Sequence, residues 1–191
     1  MFGGLLQKAA NESGKAEPAF GGKSALLIIA PENFRDEECF HTREELEKAG
    51  ISVTIASLST GDKKGALGGV ARAEIALKDV NVADYDTVIF VGGGGSAVYF
   101  NDPLAQKIAK DSHELGKVTA AICIAPVILA NAGVLEGKKA TVWESADTKA
   151  ALKAGGATYT GKTVEADGKV VTGNGPAAAR EFGRAIAGLL E

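Results

Sequence analysis

Val118-Thr119-Ala120-Ala121-Ile122-Cys123-Ile124-Ala125-Pro126 is the stretch whose reading decides the fold. Residues 118–122 carry no charge, as expected for a strand buried on both faces of a parallel sheet. Proline suits the first turn of a helix. The run therefore reads as a strand over 118–122 followed by a helix over 125–132, with Gly133 at its stop position. A cysteine at that junction, with Ala120, Ala121 and Ala125 to relieve crowding, has the form of a nucleophile elbow. The thiol lies at a helix N-terminus, where the dipole and free N–H groups are expected to lower its pKa. A buried structural cysteine is the competing reading, since free cysteine packs as a small hydrophobe.

Working outward, the same alternation recurs. Strands are predicted over 24–30, 51–58, 87–91 and 139–143, and helices over 36–49, 146–154 and 176–190. Asp102 reads as an N-cap with Pro103 at N1, opening a helix that stops at Gly116. Residues 60–65 read as a turn, and 70–80 as short strands or a hairpin. Asp167-Gly168 is a hairpin turn between 163–166 and 170–172. Such alternation predicts an α/β fold with a mostly parallel sheet sandwiched by helices. Ligands in such sheets bind beyond the carboxyl ends of the strands. The residues of interest are therefore 31–38, 92–96, 123–124, 143–144 and 173–176.

The 191 residues suit one domain, expected over 23–191 with an N-terminal extension over 1–22. The extension lacks the charged and apolar regions of a signal peptide and is expected to be partly helical at most. Lys+Arg 21 against Asp+Glu 24 leaves a net charge of −3, without the basic excess of a nucleic-acid binder. The longest near-apolar run, 118–130, is too short to span a bilayer. Two cysteines exclude a disulfide framework and suit the cytoplasm. Glycine, at 25 of 191, is abundant enough to imply many tight turns or close backbone approaches.

Two motifs fail on context. Residues 156–163 match G-x-x-x-x-G-K-[ST], but a helix precedes them and a strand follows, the reverse of a phosphate loop. Gly92-x-Gly94-x-x-Ala97 resembles a dinucleotide fingerprint, but no acidic residue ends a second strand about 20 residues on. The better reading is that Gly92 and Gly93 bring backbone N–H donors close to a reactive group. No cofactor and no metal site are expected.

The A-A-I-C-x-x-P stretch at residues 120–126 resembles the ThiJ/PfpI superfamily, together with Gly92-Gly93 after the preceding strand. Phe34-x-Asp36-x-Glu38 resembles that family's acidic motif, and 172–176 resembles its closing Gly-Pro turn. The resemblance covers 23–191 and implies a flavodoxin-like fold. It also implies that Cys123 is the nucleophile or oxidisable centre, with Glu38 as its acidic partner. A carboxyl held close to a thiolate in a partly buried site is expected to have a raised pKa. The Gly93 and Ile124 N–H groups would form the oxyanion-stabilising pair. Trp143, Glu144, Asn174, Gly175 and Pro176 are expected to line the pocket, with Tyr99 and Phe100 walling it or a dimer contact.

Two departures qualify the resemblance. Ile124 stands where peptidase-like members carry histidine, and Trp143 where others carry one. His41, one helical turn after Glu38, and His113 are expected outside the chemistry, and Cys39 is expected to be packing. The activity implied is a cysteine-dependent, glyoxalase-like conversion of 2-oxoaldehydes or removal of their adducts, acting on a small carbonyl substrate. The alternatives are a redox-sensing protein, a binding or chaperone-like module, and, less favoured, a peptidase. The family also implies a homodimer.

Overall fold

The computed structural model describes residues 22–191. The expected helical character of the N-terminal extension therefore lies almost wholly outside the described residues. In chain order the first half comprises β1 (Ser24–Ile28), β2 (Glu32–Phe34), α1 (Asp36–Lys48), β3 (Ser52–Ser57), β4 (Gly61–Gly65), β5 (Val70–Ala73), β6 (Ile75–Ala76) and β7 (Thr87–Phe90). The second half comprises α2 (Pro103–Glu114), β8 (Val118–Ile122), α3 (Pro126–Asn131), β9 (Lys139–Ala140), α4 (Ala146–Ala154), β10 (Thr158–Tyr159), β11 (Val164–Asp167), β12 (Val170–Gly173) and α5 (Ala179–Gly188).

Seven strands form the central sheet in the order β11-β12-β8-β7-β1-β3-β6. All neighbours run parallel except the β11–β12 hairpin. Helices α1 and α5 pack together against one side, and α2 and α3 pack against β7 and β8. The apolar runs of β1, β7 and β8 are buried end to end, as strands covered on both faces must be. From β1 the chain steps outward through β3 and β6, then returns to build β7, β8 and β12 on the other side. Strand order thus reverses between β1 and β7, the place where an open parallel sheet leaves a crevice at its carboxyl edge.

Most elements fall where the sequence places them. Asp102 caps α2, its carboxylate accepting the Ala105 N–H at 2.7 Å, with Pro103 in the first turn. Gly168 takes φ 61° in the β11–β12 turn. The phosphate-loop look-alike runs from the end of α4 through β10 toward β11, so no helix opens after its Gly-Lys-Thr.

Three readings are corrected. Of the residues 60–65 read as a turn, Gly61–Gly65 form strand β4, pairing with β5 and, in parallel, with β2. Glycines at both ends and charged residues between them hide its strand character, because the small β2-β4-β5 sheet has little apolar area to bury. The strand β2 lies in what reads as a loop. The strand expected over 139–143 shrinks to Lys139–Ala140, pairing with β10 and not with the central sheet. Beyond it, Thr141 is held by side-chain bonds: its N–H donates to Thr172 Oγ1 and its Oγ1 to the Lys162 carbonyl.

The tip between β4 and β5 reaches the carboxyl edge of the main sheet and is pinned there by one carboxylate. Buried Asp36 accepts the Leu67 N–H at 2.8 Å and the Gly69 N–H at 2.6 Å, while the Ala66 N–H donates to the Phe34 carbonyl. A Cβ on Gly65 or Gly69 would lie 2.4 Å from an Asp36 oxygen. Asp36→Ala removes both acceptors from amides that close the turn. It is expected to destabilise the protein by about 1–3 kcal/mol, with the loss of hydrogen-exchange protection greatest at Leu67 and Gly69. Unchanged protection at those two amides would show that the turn holds without Asp36.

Candidate functional site

The loops after β1, β7, β8 and β12 converge on Cys123. This residue follows β8 directly and takes φ 64°, a left-handed conformation that non-glycine residues seldom adopt. Its backbone is clamped on both sides: the Cys123 N–H donates to Gly173, and its carbonyl accepts the Trp143 N–H. The strain is thus imposed by β12 and by the segment after β9. The sulfur faces a cleft of ≈ 290 Å³ bordered by Arg35, Ala66, Gly93, Ile124, Trp143 and Pro176. Cys123 itself is 8% exposed, whereas Cys39 is fully buried inside α1.

Glu38, in the first turn of α1, is fully buried. Its Oε2 accepts the Gly92 N–H at 3.0 Å. Among the described residues its Oε1 has no hydrogen-bond partner in ordinary geometry, and the ionisable groups that act on the carboxyl are Cys123, Arg35 and Glu37. The approach is possible only because residue 92 is glycine. A Cβ there would sit 2.5 Å from Cys123 Cβ and 2.6 Å from Glu38 Oε2. Gly93 is constrained differently, with φ 93° and no room for a Cβ against the Arg35 N and Asn33 carbonyl.

Burial raises the Glu38 carboxyl to about 7, against the opposing pull of the neighbouring Cys123 thiol and the Gly92 N–H. The thiol departs from expectation. Burial first, and the Glu38 charge second, push Cys123 up to about 12, although the Gly93 and Ile124 N–H groups favour its anion. The helix that follows has only six residues, and its dipole does not offset desolvation. At rest the thiol therefore keeps its proton rather than presenting a free thiolate, while Glu38 divides between its acid and carboxylate forms near pH 7. Burial pushes Cys39 to about 12 as well.

The other expected site residues divide. Trp143 and Pro176 border both the cysteine cleft and an adjoining hollow of ≈ 490 Å³. Glu144, Asn174 and Gly175 line only that hollow, with Glu144 paired to Lys149 at 2.8 Å. Tyr99 is not a pocket wall: it is buried, its hydroxyl donating to the Ile29 carbonyl at 2.8 Å. Phe100 packs against the core and also stays out of the cleft. His41 lies in a neighbouring depression with Glu37 and Arg180, and half-buried His113 sits on α2.

Arg35 and Ala66 escape sequence reasoning. Arg35 stands inside the flagged 31–38 stretch, but carboxylates draw the attention there. Its guanidinium is held by Glu37, Nε to Oε2 at 2.8 Å and Nη2 to Oε1 at 3.0 Å. Ala66 arrives only through the β4–β5 tip, which no local pattern places near Cys123.

The DJ-1/PfpI family model matches residues 23–189. An uncharacterized protein of Methanocaldococcus jannaschii is 40% identical over 167 residues, covering 87% of this chain and 82% of its own. A Caenorhabditis elegans protein named glutathione-independent glyoxalase is 31% identical over 169 residues, covering 88% and 89%. A Thermococcus kodakarensis protein named deglycase is 29% identical over 151 residues, covering 79% and 90%. Among solved structures, a ThiJ/PfpI domain protein of Brachyspira murdochii matches with TM-score 0.85 and 31% identity, covering 89% of this chain and 98% of that one.

The raised Glu38 carboxyl has a consequence for stability. In the unfolded chain it loses its proton near 4.5, in the native protein near 7. Between those values the native state binds the extra proton, so stability contributed below pH 4.5 is lost as pH rises through 7. Relative to Glu38→Gln, which stays neutral, the wild type is expected to lose about 3 kcal/mol across that window. Urea unfolding of both proteins at pH 4.5 and 7.5 measures the difference; parallel pH profiles would contradict the assigned shift.

Proposed function

Since the chain belongs to the DJ-1/PfpI family, we propose that it is a cysteine-dependent enzyme of the glyoxalase and deglycase type, converting small 2-oxoaldehydes to 2-hydroxy acids. The observation that carries this reading is the buried Glu38 carboxyl beside Cys123, in a cleft whose Gly93 and Ile124 amides favour the sulfur's anion. Relatives named glyoxalase and deglycase support it.

The residues suggest a balanced sequence. Glu38 carboxylate accepts the thiol proton as the sulfur adds to the aldehyde carbon. The carbonyl oxygen becomes an oxyanion facing the Gly93 and Ile124 N–H groups, then takes that proton back from Glu38 to give a hemithioacetal, which restores the Glu38 carboxylate. Glu38 next removes the hydrogen on that carbon as a proton, and the adjacent carbonyl becomes an enediol. Protonation at the second carbon, with loss of the proton from the first carbon's hydroxyl, leaves a 2-hydroxy thioester. Water cleaves it, freeing the hydroxy acid and restoring the thiol. The net change is addition of one water, with no external oxidant or reductant.

A high thiol pKa weighs against the redox-sensor alternative, because peroxide reacts with the thiolate. The same pKa is compatible with catalysis, in which Glu38 accepts the proton only when substrate is present. Ile124 and Trp143, standing where the family's histidines are expected, weigh against a peptidase.

Lactate formation from methylglyoxal tests the proposal. Cys123→Ser is expected to lower kcat/KM at least ~100-fold. Because Glu38 must be ionised to act as base, wild-type activity is expected to rise with pH through about 7. Equal turnover by wild type and Cys123→Ser would end the reading.

A further inference from the structure

The hollow beside the cysteine cleft is larger than the cleft itself, ≈ 490 against ≈ 290 Å³, and the two share Trp143 and Pro176. A methyl substituent leaves such a volume unused. Roughly 150 Å³ of apolar space accommodates a benzene ring.

Trp143 is held firmly between the two spaces. Its backbone N–H donates to the Cys123 carbonyl at 2.8 Å, and its backbone carbonyl accepts Thr148 Oγ1 at 2.6 Å. The indole lies against Gly175, where an added Cβ would come within 2.8 Å of the ring. The side chain is nevertheless 50% exposed. One part of the ring is thus packed and the rest is open to whatever extends from Cys123.

The charge pattern narrows the choice. Val142, Tyr159 and Ala177 complete the apolar side. Among the described residues, the lining holds no cationic side chain, and its single ionisable carboxylate is Glu144. Lys149, the cation beside Tyr159, is already paired with Glu144 at 2.8 Å, so an anionic substituent would meet a neutralised ion pair rather than a free counter-charge. Arg35 stands at the cysteine end, where the product carboxylate forms.

The geometry points to a substrate subsite in which Trp143 stacks against a neutral, planar aryl group on the ketone side of the 2-oxoaldehyde, with the aldehyde carbon at Cys123. Aryl oxoaldehydes are then preferred over methylglyoxal, and Trp143 sets that preference. This assignment rests on the oxoaldehyde reading of the Cys123 site. Offset stacking needs only an exposed aromatic face, which a phenylalanine also supplies in part.

The test compares kcat/KM for phenylglyoxal and methylglyoxal in wild type, Trp143→Ala and Trp143→Phe. Initial rates are taken before phenylglyoxal modifies guanidinium groups. The aryl-to-methyl ratio is expected to fall roughly tenfold in Trp143→Ala and to be largely kept in Trp143→Phe. A second measurement needs no turnover. Trp143 is the chain's one tryptophan, so its emission reports directly on occupancy. Mandelate, the aryl product, is expected to shift wild-type emission saturably, and lactate is not. An unchanged ratio in Trp143→Ala, or an emission indifferent to mandelate, overturns the subsite without bearing on the oxoaldehyde reading, which Cys123→Ser tests separately. If wild type turns over neither aldehyde but mandelate still shifts emission, the oxoaldehyde reading fails and the aryl site stands.

Discussion

A carboxyl group taken out of water beside a thiol is the constraint on which the site depends. Glu38 is fully buried, tethered by a single backbone N–H from Gly92, and shares its environment with Cys123. Two anions cannot coexist cheaply in such surroundings. The pair therefore carries at most one negative charge near neutrality, on Glu38, and the thiol keeps its proton at rest. The missing Cβ of Gly92 makes the approach possible, and the left-handed backbone of Cys123 directs the sulfur into it.

The frame around this pair is assembled from distant pieces of chain. Glu38 comes from α1, Gly92 from the end of β7, and Cys123 from the end of β8. Their meeting follows from strand order: β7 and β8 are neighbours, and β1 beside β7 delivers the loop that starts α1. Asp36, two residues before Glu38, anchors the tip that brings Ala66 to the cleft. One helical turn thus supplies both the buried acid and the anchor of a cleft wall.

Electrostatics and shape divide the mouth of the site. Arg35, held by Glu37, supplies positive charge on the cysteine side, while Trp143 and the hollow beyond it supply apolar surface. Substitution of tryptophan for an expected histidine removes a titratable group and adds an aromatic face.

By itself the sequence determined the alternation of strands and helices, the strand–Cys–helix junction and the importance of residues 92–93. Each rests on local patterns: uncharged runs, capping residues, turn dipeptides and a cysteine before proline. Glu38 was legible through the resemblance of its motif, since a lone acidic residue at a helix start is ordinarily a solvated cap. Tertiary structure alone decided that β4 is a strand, that residues 141–143 leave the sheet, that Tyr99 is buried and that Arg35 and Ala66 border the cleft. It also reversed the expected direction of the thiol pKa. The reason is common to all of these. Pairing partners, desolvation and the neighbours of a side chain are set by segments tens of residues away, and no local window of sequence contains them.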